Sequence, residues 1–262
     1  MLLVQKVRGG KGMAQKYIMW SDTHKVPFIT LNEGKFECSL NSVSIYQLLT
    51  YACMFKTNLT SVSFPNLTEI SGYYSMMETF ESCTNLTSVS FPNLTEISGY
   101  YSMKETFKSC TNLTSVSFPN LTEISGTVGP LNYTFSGCSK LTSVSFPNLT
   151  EISGTVGPLN YTFSGCSKLT SVSFPNLTTI NNHFIKHTFD NCSKLTSISF
   201  PKLTTVTDPT NAFEQPGPST LTIHLPKALS SLGITNDAKY DASVGKFVDI
   251  VNPDYGKLVY DL

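Results

Sequence analysis

Leu59-Thr-Ser-Val-Ser-Phe-Pro-Asn-Leu-Thr-Glu-Ile-Ser-Gly72 decides the fold, because the same stretch returns from Leu86, Leu113 and Leu141 and, altered, from Leu169, Leu195 and Leu221. The successive intervals are 27, 27, 28, 28, 26 and 26 residues. Residues 155–178 duplicate 127–150 without a change, and residues 73–99 differ from 100–126 only at Met77/Lys104 and Glu81/Lys108. A period of this length at fixed phase marks a solenoid, in which each unit buries its apolar sides only against its neighbours.

Within one unit the apolar positions sort into three sides. Val62 and Phe64 alternate with Ser61 and Ser63, the pattern of a short strand with its apolar residues inward. Pro65 ends that strand, since it has no amide hydrogen for the ladder. Leu67 and Ile70 form a second inward pair, Gly72 permits a sharp turn, and Phe80 and Cys83 form a third group. The pattern predicts a mainly β repeat solenoid of about seven or eight coils, a rod ~35–40 Å long at one strand spacing per coil.

Outward from the repeats, residues 1–37 read as an N-terminal cap with strands over Lys16 to Trp20 and Val26 to Asn32. Residues 38–226 read as the leucine-rich-repeat solenoid, with an irregular first coil whose strand is Leu40-x-x-Val43-x-Ile45. Residues 227–262 read as a C-terminal cap. The opening Met1-Leu2-Leu3-Val4 is too short for the apolar region of a secretion signal, and Met13, after a glycine-rich stretch, is an alternative start. No anchor is expected at the C-terminus, and no run reaches the roughly 18 apolar residues of a spanning helix.

The 262 residues carry 18 basic and 18 acidic side chains, so neither nucleic acid nor an anionic membrane is an expected partner. Charged residues make up only 14 %, which leaves the surface to hydroxyls and amides.

The recurring Phe, Cys, Leu, Val, Phe-Pro and Ile positions, as in Phe135-Ser-Gly-Cys138-Ser-Lys-Leu141 and Phe163-Ser-Gly-Cys166-Ser-Lys-Leu169, resemble the leucine-rich repeats of the BspA-like family over roughly residues 38–226. The resemblance implies a bacterial or protist surface protein that adheres to host matrix or other cells. It also extends to repeat proteins of intestinal bacteria and phages. The implied location is the cell surface or the exterior, with a virion or the cytoplasm as alternatives. The implied partner is a protein or surface ligand, host-derived ligands included. The family brings no catalytic residues.

The residues themselves point away from an enzyme. Cys83, Cys110, Cys138, Cys166 and Cys192 share one phase and read as a column of small hydrophobes with reduced thiols, because a straight column does not converge on a metal. His183 and His187 lack a helix and a third ligand. The repeats from Leu40 to Lys168 contain no histidine, so a serine nucleophile triad is not indicated there, and no phosphate-binding loop is present. No catalytic residue, metal or cofactor is therefore expected. Asn-Leu-Thr triplets such as Asn58-Leu59-Thr60 match a glycosylation signal but read as turn and capping groups. Glu69, Glu96, Glu123 and Glu151 form a ladder that reads as solvated, with weak cation binding as the sharper alternative.

Comparison among the repeats locates the variation. The strand serines barely change, whereas the segment between Gly and Phe does. That edge is the expected recognition site, with Tyr73, Tyr74, Met77, Tyr100, Tyr101, Lys104, Tyr133, Tyr161 and Phe184 as candidate binding residues. The sequence thus reads as a non-catalytic protein-binding or adhesion surface. The alternative is a structural or receptor-binding component of a larger assembly, such as a phage virion or a bacterial appendage.

Overall fold

The computed structural model describes residues 2–7, 16–21, 29–32, 34–43, 49, 53–181, 185–207, 217–218, 220–232, 238–241, 246–249 and 257–260. Its first side is a parallel run of long strands, Lys35–Cys38, Ser61–Ser63, Ser88–Ser90, Ser115–Ser117, Ser143–Ser145, Ser171–Ser173, Ser197–Ser199 and Thr222–Leu225. Register is by repeat phase, with Val62 beside Val89 and Val116 beside Val144. The second side stacks the two-residue strands Ser42–Val43, Glu69–Ile70, Glu96–Ile97, Glu123–Ile124, Glu151–Ile152, Thr179–Ile180 and Thr205–Val206, again parallel. The expected repeat solenoid is the fold, and the only helical element described is a 3-10 turn at Lys227–Leu232.

The first coil differs from its sequence reading. Lys35–Cys38, not the Leu40 segment, pairs with Ser61–Ser63, and Phe36 lies opposite Val62. Ser42–Val43 belongs to the second side, opposite Glu69–Ile70. Leu-x-x-Val fits the pattern of Leu67-x-x-Ile70 as well as that of Leu59-x-x-Val62, so apolar spacing alone did not fix the side. Alternation decides it, because Phe36 and Cys38 are buried while Lys35 and Glu37 are exposed. Ile45 lies outside the described residues. Upstream, Leu2–Val7, Lys16–Ser21 and Ile29–Asn32 pair antiparallel in sequence and join the long sheet through Lys35–Cys38; residues 26–28 of the expected second strand lie outside the described residues. Downstream, Lys257–Tyr260 returns to pair parallel with Thr222–Leu225.

The core is a set of columns. Phe64, Phe91, Phe118, Phe146, Phe174 and Phe200 stack with centroids 5.0 to 5.5 Å apart and rings within 19° of parallel. A second column, Phe80, Phe107, Phe135, Phe163 and Phe189, stacks at 5.3 to 5.7 Å. The two meet edge-on, as where Phe91 and Phe107 lie 6.2 Å apart at 73°. This combines the offset-stacked and edge-to-face arrangements that the ring quadrupole favours. Leucines, Ile and Val fill the remaining inward positions, essentially without exposure.

Segments read as variable loops are a third ladder. Alternate amides of Tyr74, Met76, Glu78, Phe80 and Ser82 donate to carbonyls of the next coil, at Tyr100, Ser102, Lys104, Thr106 and Lys108. The intervening amides of Ser75, Met77, Thr79, Glu81 and Cys83 close turns onto the residue three before. From Tyr74 to Cys83 every backbone donor is used. The conformation requires left-handed residues at every fourth position, Tyr74, Glu78 and Ser82, and at the matching Tyr101, Glu105 and Ser109. Buried Thr106 and Thr134 lock successive coils, each hydroxyl lying 2.8 Å from the Met76 or Met103 carbonyl of the preceding coil. At the corner into this side, Gly126 (φ 133°) is irreplaceable, since a Cβ there would lie 2.7 Å from the Gly99 carbonyl oxygen.

All seven cysteines are unpaired and buried. The thiols of Cys110, Cys138 and Cys166 each point at a carbonyl of the preceding coil, at Phe80, Phe107 and Phe135, 3.2 Å away. Burial pushes the Cys83 thiol up to about 11 and those of Cys53 and Cys192 to about 12. Folded values above the ordinary thiol range mean that the unfolded chain releases these protons first. Their stabilising effect is complete below about pH 8.5 and is lost as pH rises through 11 to 12. Native protein at about pH 8 is accordingly expected to resist a disulfide-exchange reagent at all seven thiols, with all seven reacting in denaturant. The midpoint of urea unfolding should fall on going from about pH 8.5 to 11.

Candidate binding face

Chain register on the third side sets which variable residues meet. The amides of Tyr74, Tyr101 and Gly129 donate to Tyr100, Val128 and Val156, so Tyr73, Tyr100, Val128 and Val156 form one column. It runs along the corner next to the glycines, and Tyr73 and Val156 are two of the chain's exposed large apolar side chains, at 55 % and 44 %. Behind it, Tyr74 and Tyr101 share a column. Tyr73 stacks on Tyr100 at 5.8 Å, Tyr74 meets Tyr100 edge-on at 5.3 Å, and Tyr100 meets Tyr101 at 4.6 Å. The Lys104 ammonium sits 5.1 Å from the centre of the Tyr101 ring, a cation–π contact.

Tyr133 and Tyr161 lie elsewhere. Their amide register matches Glu78 and Glu105, not Tyr74 and Tyr101. They stack on each other at 4.7 Å and 1°, and Tyr161 stacks on His187 at 4.7 Å. His187 also pairs with Asp190, Nδ1 to carboxylate 2.9 Å. Of the expected site residues, Tyr73, Tyr74, Tyr100, Tyr101 and Lys104 are therefore in one cluster, while Tyr133 and Tyr161 are in a second with His187. Met77 is half-buried in the column of Lys104, and Phe184 and His183 lie outside the described residues.

Sequence reasoning missed the charges between the clusters. Lys108 bonds the Glu105 carboxylate at 2.6 Å and lies 3.5 Å from that of Glu81, while Lys104 lies 3.3 Å from Glu105. Burial raises the pKa of Glu78, and the charges of Glu105 and Glu81 raise it further. The hydrogen bond to Glu105 raises that of Lys108 and holds it cationic. The signal was in the sequence, because the two differences between residues 73–99 and 100–126 are the lysines at 104 and 108. A perfect copy would have placed Glu at 108 beside Glu78, Glu81 and Glu105. Val128 and Val156 were also missed, because the duplicated Thr-Val-Gly-Pro stretch reads as a turn.

The remaining faces are uniform. Serines project from the long strands, and asparagine and threonine columns line the corner between the first and second sides. Among the described residues no three His, Cys, Asp or Glu side chains are grouped to hold a metal ion, and no helix is long and apolar enough to cross a membrane.

A family model for the BspA type leucine rich repeat region matches residues 27–128 and 103–235, with six copies. The chain belongs to this family. The BspA-type match extends on both sides of residues 38–226 and takes in the Lys35–Cys38 coil. No curated protein matches the chain. Among solved structures, a leucine-rich repeat protein from Bacteroides ovatus is 15 % identical over 98 % of each chain, with a TM-score of 0.20. A leucine rich cell surface protein from Faecalibacterium prausnitzii is 15 % identical over 84 % of this chain and 74 % of its own, with a TM-score of 0.25. At those scores neither carries any argument about this chain. Proteins built from BspA-type repeats are generally non-catalytic, and function has to be read from the surface.

The ion pairs give Lys104 and Lys108 a role among the neighbouring carboxylates, and reverting one tests it. Lys108→Glu restores the residue of the preceding repeat and sets four carboxylates together. It should destabilise the chain by about 1–2 kcal/mol at low ionic strength, with most of the loss recovered in about 0.5 M salt. A salt-independent loss in urea titrations would show that packing, not charge, is responsible.

Proposed function

We propose that the chain is a non-catalytic binding module, and that its recognition patch is the corner column of Tyr73, Tyr100, Val128 and Val156, backed by Tyr74, Tyr101 and Lys104. The observation that carries this reading is that, of the three exposed large apolar side chains among the described residues, Phe55, Tyr73 and Val156, two share one column, while the other surface columns are mainly Ser, Thr, Asn and Glu. Tyrosine offers a large, rigid contact with few rotatable bonds, and it is enriched where binding energy concentrates. The third ladder holds these rings by backbone bonds on both sides, so little ordering remains to be lost on association.

The family setting makes a protein on a cell or matrix surface the partner class, and the low charge of the patch suits an apolar and hydroxylated contact. Lys104, already over the Tyr101 ring, supplies a cation at the rim. Tyr161 is stacked between Tyr133 and His187, and we take this row as a secondary contact.

The experiment is retention of matrix and cell-surface proteins by the immobilised chain, followed by affinity measurement on the protein retained. Tyr73→Ser with Tyr100→Ser should weaken that affinity by more than about ten-fold. The melting temperature should fall by only about 2–4 °C, the cost of roughly 1 kcal/mol of ring stacking. Retention at wild-type affinity would sink this assignment.

A further inference from the structure

Two tyrosines of the third side lie face to face. The Tyr133 and Tyr161 rings are 4.7 Å apart at their centroids and 1° from parallel, and both are half-buried. Residues 155–178 duplicate 127–150, and both tyrosines sit in the left-handed region at φ 56°. The second ring is thus the first carried forward by one coil, with each atom about 4.7 Å from its own equivalent. His187 covers the far face of Tyr161 and leaves the near face to Tyr133.

The backbone holds this arrangement in place. The Tyr133 amide donates to the Asn160 carbonyl of the next coil at 3.1 Å, and the two tyrosine carbonyls accept from Ser136 and Ser164. Two residues on, Phe135 stacks on Phe163, and the Thr162 hydroxyl bonds the Leu131 carbonyl at 2.9 Å. The phenolic hydroxyls are neighbours as well. Burial holds the Tyr133 phenol above its ordinary pKa, and the Tyr161 phenol beside it raises it further. Other tyrosine contacts are less regular, since Tyr73 and Tyr100 lie 5.8 Å apart at 15° and Tyr100 meets Tyr101 at 74°.

We propose that Tyr133 and Tyr161 are an oxidative modification site, where a one-electron oxidant such as the ferryl haem of a peroxidase joins the two coils through a dityrosine bond. Each phenol gives one electron to the oxidant and its hydroxyl proton to solvent, leaving a neutral phenoxyl radical. Its unpaired spin rests on oxygen and on the ortho and para carbons, and Cβ blocks the para position. The new bond therefore joins an ortho carbon of each ring, and stacking sets these atoms over one another. Coupling uses π orbitals that point along the ring normal, so face-to-face rings are aligned for it and edge-on rings are not. Each bonded carbon then releases its hydrogen as a proton while the ring oxygen takes one up, which restores two phenols. In sum, two tyrosines release two electrons and two protons, and these reduce one hydrogen peroxide to two waters. All seven cysteines are buried and unpaired, so the tyrosine pair supplies an oxidative staple between coils that they do not.

The test is oxidation of the full chain by hydrogen peroxide and a haem peroxidase, followed by dityrosine fluorescence and tryptic mapping. Trypsin cuts after Lys108, Lys140 and Lys168, so Tyr133 and Tyr161 are each the only tyrosine of their peptides, residues 109–140 and 141–168. These two peptides should appear joined, lighter by two hydrogens, in chains that remain monomeric. The cross-linked chain should melt about 5–10 °C higher, since the bond closes a loop between positions 133 and 161 in the unfolded state. Tyr161→Phe, which keeps the stacked ring, should lower the dityrosine yield at least about five-fold with the melting curve of the unoxidised chain unchanged. Tyr73→Ser with Tyr100→Ser should leave the cross-link at full yield, because that column lies outside the pair. Cross-links only between chains, a larger yield at Tyr73 and Tyr100, or undiminished fluorescence in Tyr161→Phe would each overturn the proposal.

Discussion

Stacking of like on like at one coil's rise is the constraint from which the rest follows. The two phenylalanine columns require every coil to present the same ring at the same height, with centroids 5.0 to 5.7 Å apart. One coil cannot bury its apolar sides alone, and its neighbours bury them only if they keep phase. Near-identical repeats are the simplest sequences that satisfy this. The polar ladders obey the same rule, since Thr, Asn and Cys side chains at one phase each bond a carbonyl one coil back.

The constraint has a cost at the surface. Any charged position repeated at fixed phase becomes a column of like charges about 5 Å apart, repelling by ~0.8 kcal/mol per neighbour even in water. The chain meets this in two ways. On the third side Lys108 stands where duplication would have set a glutamate, and Lys104 where it would have set a methionine, and both pair with Glu105. On the second side the glutamates remain uninterrupted through Glu151 and give way to Thr179 and Thr205 only in the later coils.

The repeat, its inward residues and the buried thiols were legible because each rests on apolar spacing, which the stacked core enforces directly. The first coil was misplaced because Leu40-x-x-Val43 satisfies the spacing of two different sides, and only the alternation around Phe36 and Cys38 separates them. The third ladder escaped because its left-handed positions are occupied by Tyr74, Glu78 and Ser82, residues that carry no turn signal. Glycine marks some of the same positions at Gly129, Gly137 and Gly165. Reading the side as loops also merged Tyr133 with the wrong tyrosines, since only the backbone register equates it with Glu105. Function was legible only to the class of the family, because the proposed recognition edge depends on which variable side chains that register brings together.

The central claim is that all three sides form one cooperatively stacked ladder, so that the tyrosine edge is a rigid surface and not a set of loops. Native-state amide hydrogen exchange compares the sides directly. The account predicts that the amides of Met76, Glu78, Phe80 and Phe107, which donate between coils, are protected to the same degree as those of the central long strands. Exchange at Tyr74 to Ser82 near the rate of an unstructured chain, beside protected long strands, would contradict it.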